Sequence, residues 1–203
     1  MTIAADRPQH PTTPARMTLE AYLTGDWGAD GRYELVDGVL VDMGAENPLN
    51  PAIAMRLVFA LARLGVPEEH LAIGHQIEVR SPHASARQPD LIVHSEASRA
   101  AIFGDGKLLR LNMLAPLMVV EVASSTKSDR QSRERDYTEK PAEYADRGIL
   151  EYWVIDPDEG LVKVGRLENG RYQFQDFMGQ QTISSLQFPG LTLTVNRLLD
   201  TGS

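Results

Sequence analysis

Apolar and polar residues alternate in short blocks along most of the chain. The blocks switch between a period of two and a period near 3.6. Thr18 is placed to cap a short helix that runs through Leu23 and stops at Gly25. Residues 32–36 and 39–43 flank Asp37-Gly38, a two-residue loop in which both members tolerate positive φ, and this predicts a β-hairpin. Asn50-Pro51 reads as the cap and first residue of a helix; Ala54, Leu57, Val58, Leu61 and Leu64 recur at helical spacing, and Gly65 ends it. Further strands are predicted over 72–80, over 90–94 (entered through Pro89), over 116–123 and over 151–156, with a short helix over 97–103. Residues 129–147 form a polar segment predicted to be helical and closed by Gly148. Residues 161–195 predict short strands with turns at Glu168-Asn169-Gly170 and Pro189-Gly190. The sum is an α/β chain, a mixed sheet with a few helices in one layered core over 17–199. Residues 1–16, with Pro8, Pro11 and Pro14 and no apolar periodicity, predict a disordered tail.

Composition narrows the classes. With 42% hydrophobic and 24% charged residues, the 203-residue chain has enough apolar material for a core, so overall disorder is excluded. The longest apolar stretch, 114–123, contains Glu121 and falls short of the roughly 20 residues of a membrane span, so no membrane partner is expected. There is no cysteine, which excludes disulfide scaffolds, thiolate zinc sites and cysteine nucleophiles. It also fits a reducing compartment, and without a secretory-type segment the expected location is cytoplasmic. The net charge of −8, from 20 Lys and Arg against 28 Asp and Glu, argues against holding a nucleic acid by bulk charge. A polyanion would need a local basic patch, a metal ion or a groove between copies.

Two carboxylates stand where charge is costly. Glu121 lies inside Leu117-Met118-Val119-Val120-Glu121-Val122-Ala123, a run apolar enough for a central strand covered on both faces, and alternation puts it on the face of Val119 and Ala123. An ionised carboxylate there requires a cation, a hydrogen-bond network or a proton. Asp90 opens another apolar strand, directly after Pro89. Acids on neighbouring strands can share one hard divalent ion, and magnesium takes one or two protein carboxylates and keeps several waters. That is a minimal kit for metal-assisted phosphodiester hydrolysis. Glu34 is a charge inside the first hairpin. Asp136, Lys140 and Tyr144 are spaced by four and share one helical face, so Lys140 is a candidate for assisting an attacking water.

The motifs occur in a telling order: Tyr33-Glu34-Leu35-Val36-Asp37-Gly38, Pro89-Asp90-Leu91-Ile92-Val93, Val120-Glu121-Val122-Ala123-Ser124, then Asp136, Lys140 and Tyr144, then Glu151-Tyr152-Trp153-Val154-Ile155-Asp156-Pro157. In this order, over roughly residues 17–197, the chain resembles the Uma-type family of restriction-endonuclease-like proteins, within the nuclease superfamily named for a Pro-Asp…Asp/Glu-x-Lys signature. The resemblance implies a restriction-endonuclease-like core with a mixed central sheet flanked by helices. It also implies Mg²⁺-dependent cleavage of DNA, with Mn²⁺ as the alternative ion and Asp90 and Glu121 as metal ligands. The Val122 carbonyl would join them. Glu34 matches an additional acid of the first hairpin. The wider superfamily places its lysine two residues after the second acid, where this chain has Ala123; the matching lysine here is Lys140, with Lys127 as the spare. Pro141 directly after it predicts a kink or break at Lys140. A homodimer is expected, since two sites related by a two-fold axis are the simplest way to cut both strands.

Blander readings exist for each residue. Glu121 could pair with Arg80 or Arg87, Asp90 could be a turn cap, and Glu34 and Lys140 could be solvated surface charges. Lys127, Arg130, Arg133 and Arg135 form a basic tract that could touch phosphates or lace a solvated helix. Tyr152 and Trp153 are expected to pack within the sheet. His10, His70, His75, His83 and His94 lack metal-ligand spacing and are expected to be structural. The rival functions are a non-catalytic nucleic-acid-binding or assembly protein on the same fold and, third, a two-carboxylate glycosidase.

Overall fold

A computed structural model describes residues 16–27, 32–44, 47–106, 108–123 and 134–200. The expected tail lies outside them except for Arg16, which pairs with Asp37. Lys127, Arg130 and Arg133 of the basic tract also lie outside.

Two sheets form. In the five-stranded sheet the order is β2 (Val39–Asp42), β1 (Tyr33–Val36), β5 (Ser85–Arg87), β4 (Gln76–Val79) and β7 (Leu108–Leu109), antiparallel except for β4 with β7. In the six-stranded sheet it is β11 (Arg171–Met178), β10 (Leu161–Glu168), β9 (Glu151–Asp156), β8 (Met118–Val122), β6 (Leu91–Val93) and β3 (Leu71–Ala72). Here only β8 and β9 run parallel. The helices are α1 (Leu19–Thr24), α2 (Leu49–Arg63), α3 (Glu96–Asp105), α4 (Lys140–Asp146) and α5 (Val195–Leu199).

Every residue of β8 is buried, as its apolar run requires. Its Met118, Val120 and Val122 pack beneath Ile53, Leu57 and Leu61 of α2, together with Trp153. Its other face, with Val119 and Ala123, meets Tyr144 and Ala145 of α4, Tyr152, and Ile77 and Val79 of the smaller sheet. Glu121 belongs to this second face, so the sheets and α4 close over it.

Local signals act as the sequence leads one to expect in several places. Asp37 and Gly38 both have positive φ, at 49° and 80°, and join β1 to β2 with Val36 opposite Val39. The Thr18 side chain accepts from the Ala21 N–H at the head of α1. Elsewhere the structure corrects the expectation. Helix α2 begins at Leu49, so Asn50 lies in its first turn and does not cap it. Asn47 Oδ1 instead accepts from the Leu49 N–H at 3.0 Å, which frees the Asn50 side chain for another partner. The strand expected over 72–80 breaks at Gly74, with φ of 84°, into β3 and β4, which belong to different sheets. The short strands expected over 161–195 are two eight-residue strands joined at Asn169-Gly170; beyond them the only bridge among the described residues is Thr182 with Thr194. No helix among the described residues is long and apolar enough to cross a membrane.

Candidate active site

Four carboxylates and two cations from both sheets and the 135–146 segment meet in one buried cluster. Glu34 comes from β1, Asp90 from the entry to β6, Glu121 from β8 and Asp136 from the turn before α4; Arg87 ends β5 and Lys140 opens α4. Lys140 is 2% exposed and Glu34 0% exposed, so neither is the solvated surface charge of the bland reading.

Lys140 is aimed by a widened helical turn ahead of Pro141; its own backbone stays helical, at φ −58° and ψ −38°, so the expected break does not occur. Residues Arg135–Glu139 form a wider, π-type turn, and the Lys140 N–H bonds back to the Arg135 carbonyl. In that register the next donor would bond the Asp136 carbonyl, but Pro141 has no N–H. The Tyr152 hydroxyl donates to that carbonyl instead, at 2.8 Å. The ammonium of Lys140 lies 2.8 Å from Asp136 Oδ1, 2.9 Å from Glu121 Oε2 and 3.7 Å from Glu34 Oε1. One turn further on, Tyr144 donates its hydroxyl to Glu121 Oε1 at 2.8 Å. The face shared by Asp136, Lys140 and Tyr144 is therefore the face that grips Glu121.

Among the described residues Glu121 has no arginine partner. Arg80 pairs with Asp146, and Arg87 donates to Glu34 at 3.1 Å and forks onto Glu143 at 2.7 and 2.8 Å. The Gln88 N–H supplies the second donor to Glu34, at 3.0 Å. Asp90 Oδ2 accepts from the Val122 N–H at 2.7 Å, and Arg32 lies 3.7 Å from its other oxygen. This bond ties Asp90 to the residue next to Glu121 and places both acids at one point of the β6–β8 pair.

The electrostatics leave the cluster short of positive charge. Burial pushes Asp90 up to about 7 against the Val122 N–H and Lys140, which favour its charge. Burial likewise pushes Glu121 up to about 8 despite Lys140, with Asp136, Asp90 and Glu34 adding to the rise. Asp136 is raised chiefly by burial. For Glu34 burial is again the largest influence, yet Lys140, Arg87 and the Gln88 N–H together outweigh it and hold it low. Burial works against the charge on Lys140, but the surrounding carboxylates win and keep it protonated.

Asn50 completes the surroundings. Its Nδ2 donates to the Val122 carbonyl at 3.2 Å, while its Oδ1 is buried with no hydrogen-bond partner. An orphaned buried acceptor is costly without water or a cation to receive. Two acids whose charge is undercompensated, beside the Val122 carbonyl, are oxygen donors of the kind a hard divalent ion takes. No three His, Asp or Glu side chains among the described residues form a metal cage, so an ion here would rest on two carboxylates, neutral oxygens and water. The signal that sequence reading missed lies in long-range partners: Arg87, Gln88 and Asn50 carry no local pattern that marks them. Asp136 was visible as a face-mate of Lys140, but not as its ion-pair partner.

The rest of the motif series is structural. Tyr152 and Trp153 are fully buried, and Trp153 donates to Glu151, whose second oxygen accepts from the Leu186 and Gln187 N–H groups. Asp156 accepts from Tyr137 and Glu159. His75 and His94 lie 3.1 Å apart, and His94 reaches Ser98 at 3.0 Å, a closed hydrogen-bonded group.

A buried acid cluster thus gathers around one lysine at the junction of the two sheets and the 135–146 segment. The family model Uma2, described as "Putative restriction endonuclease", matches residues 19–196, and the chain belongs to that family. A solved structure from Anabaena variabilis, titled a putative nuclease belonging to DUF820, superposes with a TM-score of 0.65 at 18% identity, covering 90% of this chain and 97% of its own. That likeness shows the shared fold. No curated protein matches the chain.

Proposed function

We propose that this chain is a divalent-metal-dependent endonuclease that hydrolyses DNA phosphodiester bonds. The observation that carries the reading is the meeting of Asp90 and Glu121, joined through the Val122 N–H, beside a protonated lysine in a buried cluster short of positive charge. Asp90, Glu121 and the Val122 carbonyl would hold Mg²⁺ or Mn²⁺. A bound ion there would polarise a phosphoryl oxygen and lower the pKa of a water.

The chain's own residues have distinct tasks. Tyr144 fixes Glu121, and the Val122 N–H fixes Asp90, as outer partners of metal ligands generally do. Lys140 stays charged between Asp136 and Glu121, so it acts as an electrostatic stabiliser of phosphate charge and not as a base. Glu34 already receives Arg87 and the Gln88 N–H, which suits a residue that positions Lys140 better than one that holds a second metal. A two-fold dimer would present two such sites to opposite strands.

A plasmid-nicking assay tests the reading. Wild-type protein should nick DNA with Mg²⁺ and not with EDTA, and Asp90→Asn and Glu121→Gln should each lose this activity while keeping the wild-type circular dichroism spectrum. Retained activity in either variant removes the mechanism. A second reading, a binding or assembly protein in which the cluster is purely structural, draws on the full engagement of Lys140 by acids and on the net charge of −8. It expects no divalent ion to bind at Glu121 at all.

A further inference from the structure

An acidic chain that handles a polyanion needs a place to receive phosphates, and one groove away from the acid cluster has that chemistry. Arg56, Phe59 and Arg63 of α2 and Arg197 and Asp200 at α5 line a cavity of about 310 Å³. A second hollow shares Arg63 and Arg197 and extends the groove to Leu64 and Thr192. Three guanidinium groups face one carboxylate there.

Six other arginines lie against acids, while Arg147 and Arg166 bond carbonyl or hydroxyl oxygens. Arg16, Arg32, Arg80, Arg87, Arg99 and Arg110 each lie against a carboxylate. The side chains of Arg63 and Arg197 make no ion pair or hydrogen bond with any described residue. Arg56 spends one nitrogen on the Leu198 carbonyl at 3.0 Å, which ties α2 to α5 and fixes the groove's width. Phe59, 58% exposed, sits on the same helical face between Arg56 and Arg63.

We infer that the α2–α5 groove, through Arg63, Arg197 and Arg56, binds the phosphodiester backbone of a nucleic acid. Seven residues of helix place Arg56 and Arg63 about 10 Å apart along the axis, far enough to meet different phosphates of one strand. The same helix reaches the end of β8 through Asn50 and the Val122 carbonyl, on the sheet face opposite Glu121. Guanidinium forks suit phosphate oxygens, and a basic groove gives affinity without sequence preference. The identity of the polymer rests on the nuclease reading; the groove's charge and geometry do not.

The test compares full-length wild type with the Arg63→Gln/Arg197→Gln double variant, leaving Arg56 to hold α5. Binding of a fluorescent mixed-sequence duplex is followed by anisotropy in EDTA across a salt series, with plasmid nicking in Mg²⁺ measured in parallel. The double variant should bind more weakly at every salt concentration, and its log–log salt slope should flatten by about 2, one unit per lost phosphate contact. Its unfolding midpoint should match the wild type. Equal affinity and slope in the two proteins overturn the groove, as does a wild type that binds no duplex. A change confined to oligomeric state also overturns it and makes the groove a contact between copies. If groove-dependent binding is found but the wild type never nicks DNA, the groove stands and the nuclease reading falls.

Discussion

Glu121 shows how one residue can be both costly and useful. Burial pushes its carboxyl up to about 8, and the cluster supplies a single ammonium in direct contact. Arg87 is the other cation that the cluster cannot lose. It is fully buried between Glu34 and the forked contact to Glu143, and its removal would strip Glu143 of its fork and leave Glu34 only Lys140, 3.7 Å away. Arg87→Met is therefore expected to cost about 3–5 kcal/mol in urea unfolding, the usual penalty for breaking a buried pair from one side. A loss below about 1 kcal/mol would mean that Glu34 takes a proton in place of the arginine. Residues of this kind were only half legible in the sequence. Glu121 and Asp90 stood out because charge interrupts an apolar run. Arg87 did not, since an arginine before Gln88-Pro89 looks like any strand end until Glu34, 53 positions away, is folded onto it.

At the scale of elements, the turn before α4 is the device that aims the lysine. Pro141 withholds a donor, the chain widens, and the Tyr152 hydroxyl fills the vacancy at the Asp136 carbonyl. Tyr152→Phe should leave that buried carbonyl unpaired and cost about 1–3 kcal/mol. Pro141→Ala should restore a regular helix without loss of stability, yet lower kcat by turning Lys140 from Glu121. An unchanged kcat beside a lowered unfolding midpoint would contradict this. The hairpin at Asp37-Gly38 and the strand β8 were readable because turn chemistry and apolar runs are local. The division of 72–80 between two sheets was not, because alternation continues across Gly74 and only the sheet partners reveal the change of layer. Asn50 resembles a cap for the same reason: Asn before Pro is a good local start signal, and its contact with Val122 is tertiary.

For the whole molecule, the raised acids link stability to pH. Asp90 and Glu121 keep their protons when folded, at pH values where the unfolded chain has released them. Folding therefore takes up protons between the ordinary carboxylate range and pH near 8, and the metal-free protein should lose stability as pH rises through that window. Glu34, held low, works in the opposite direction and only in acid. The melting temperature in EDTA should fall from about pH 5 to about pH 8. Mg²⁺ should restore it more at the upper end, and Glu121→Gln should flatten the profile. A melting temperature that rises over this range would place compensating cations in the cluster. The central claim is that Asp90 and Glu121 share one hard ion, and a crystal soaked in Mn²⁺ tests it directly through the anomalous difference map. The account predicts a peak between the two carboxylates beside the Val122 carbonyl, absent in Glu121→Gln; a peak elsewhere only, or one that persists unchanged in the variant, would contradict it.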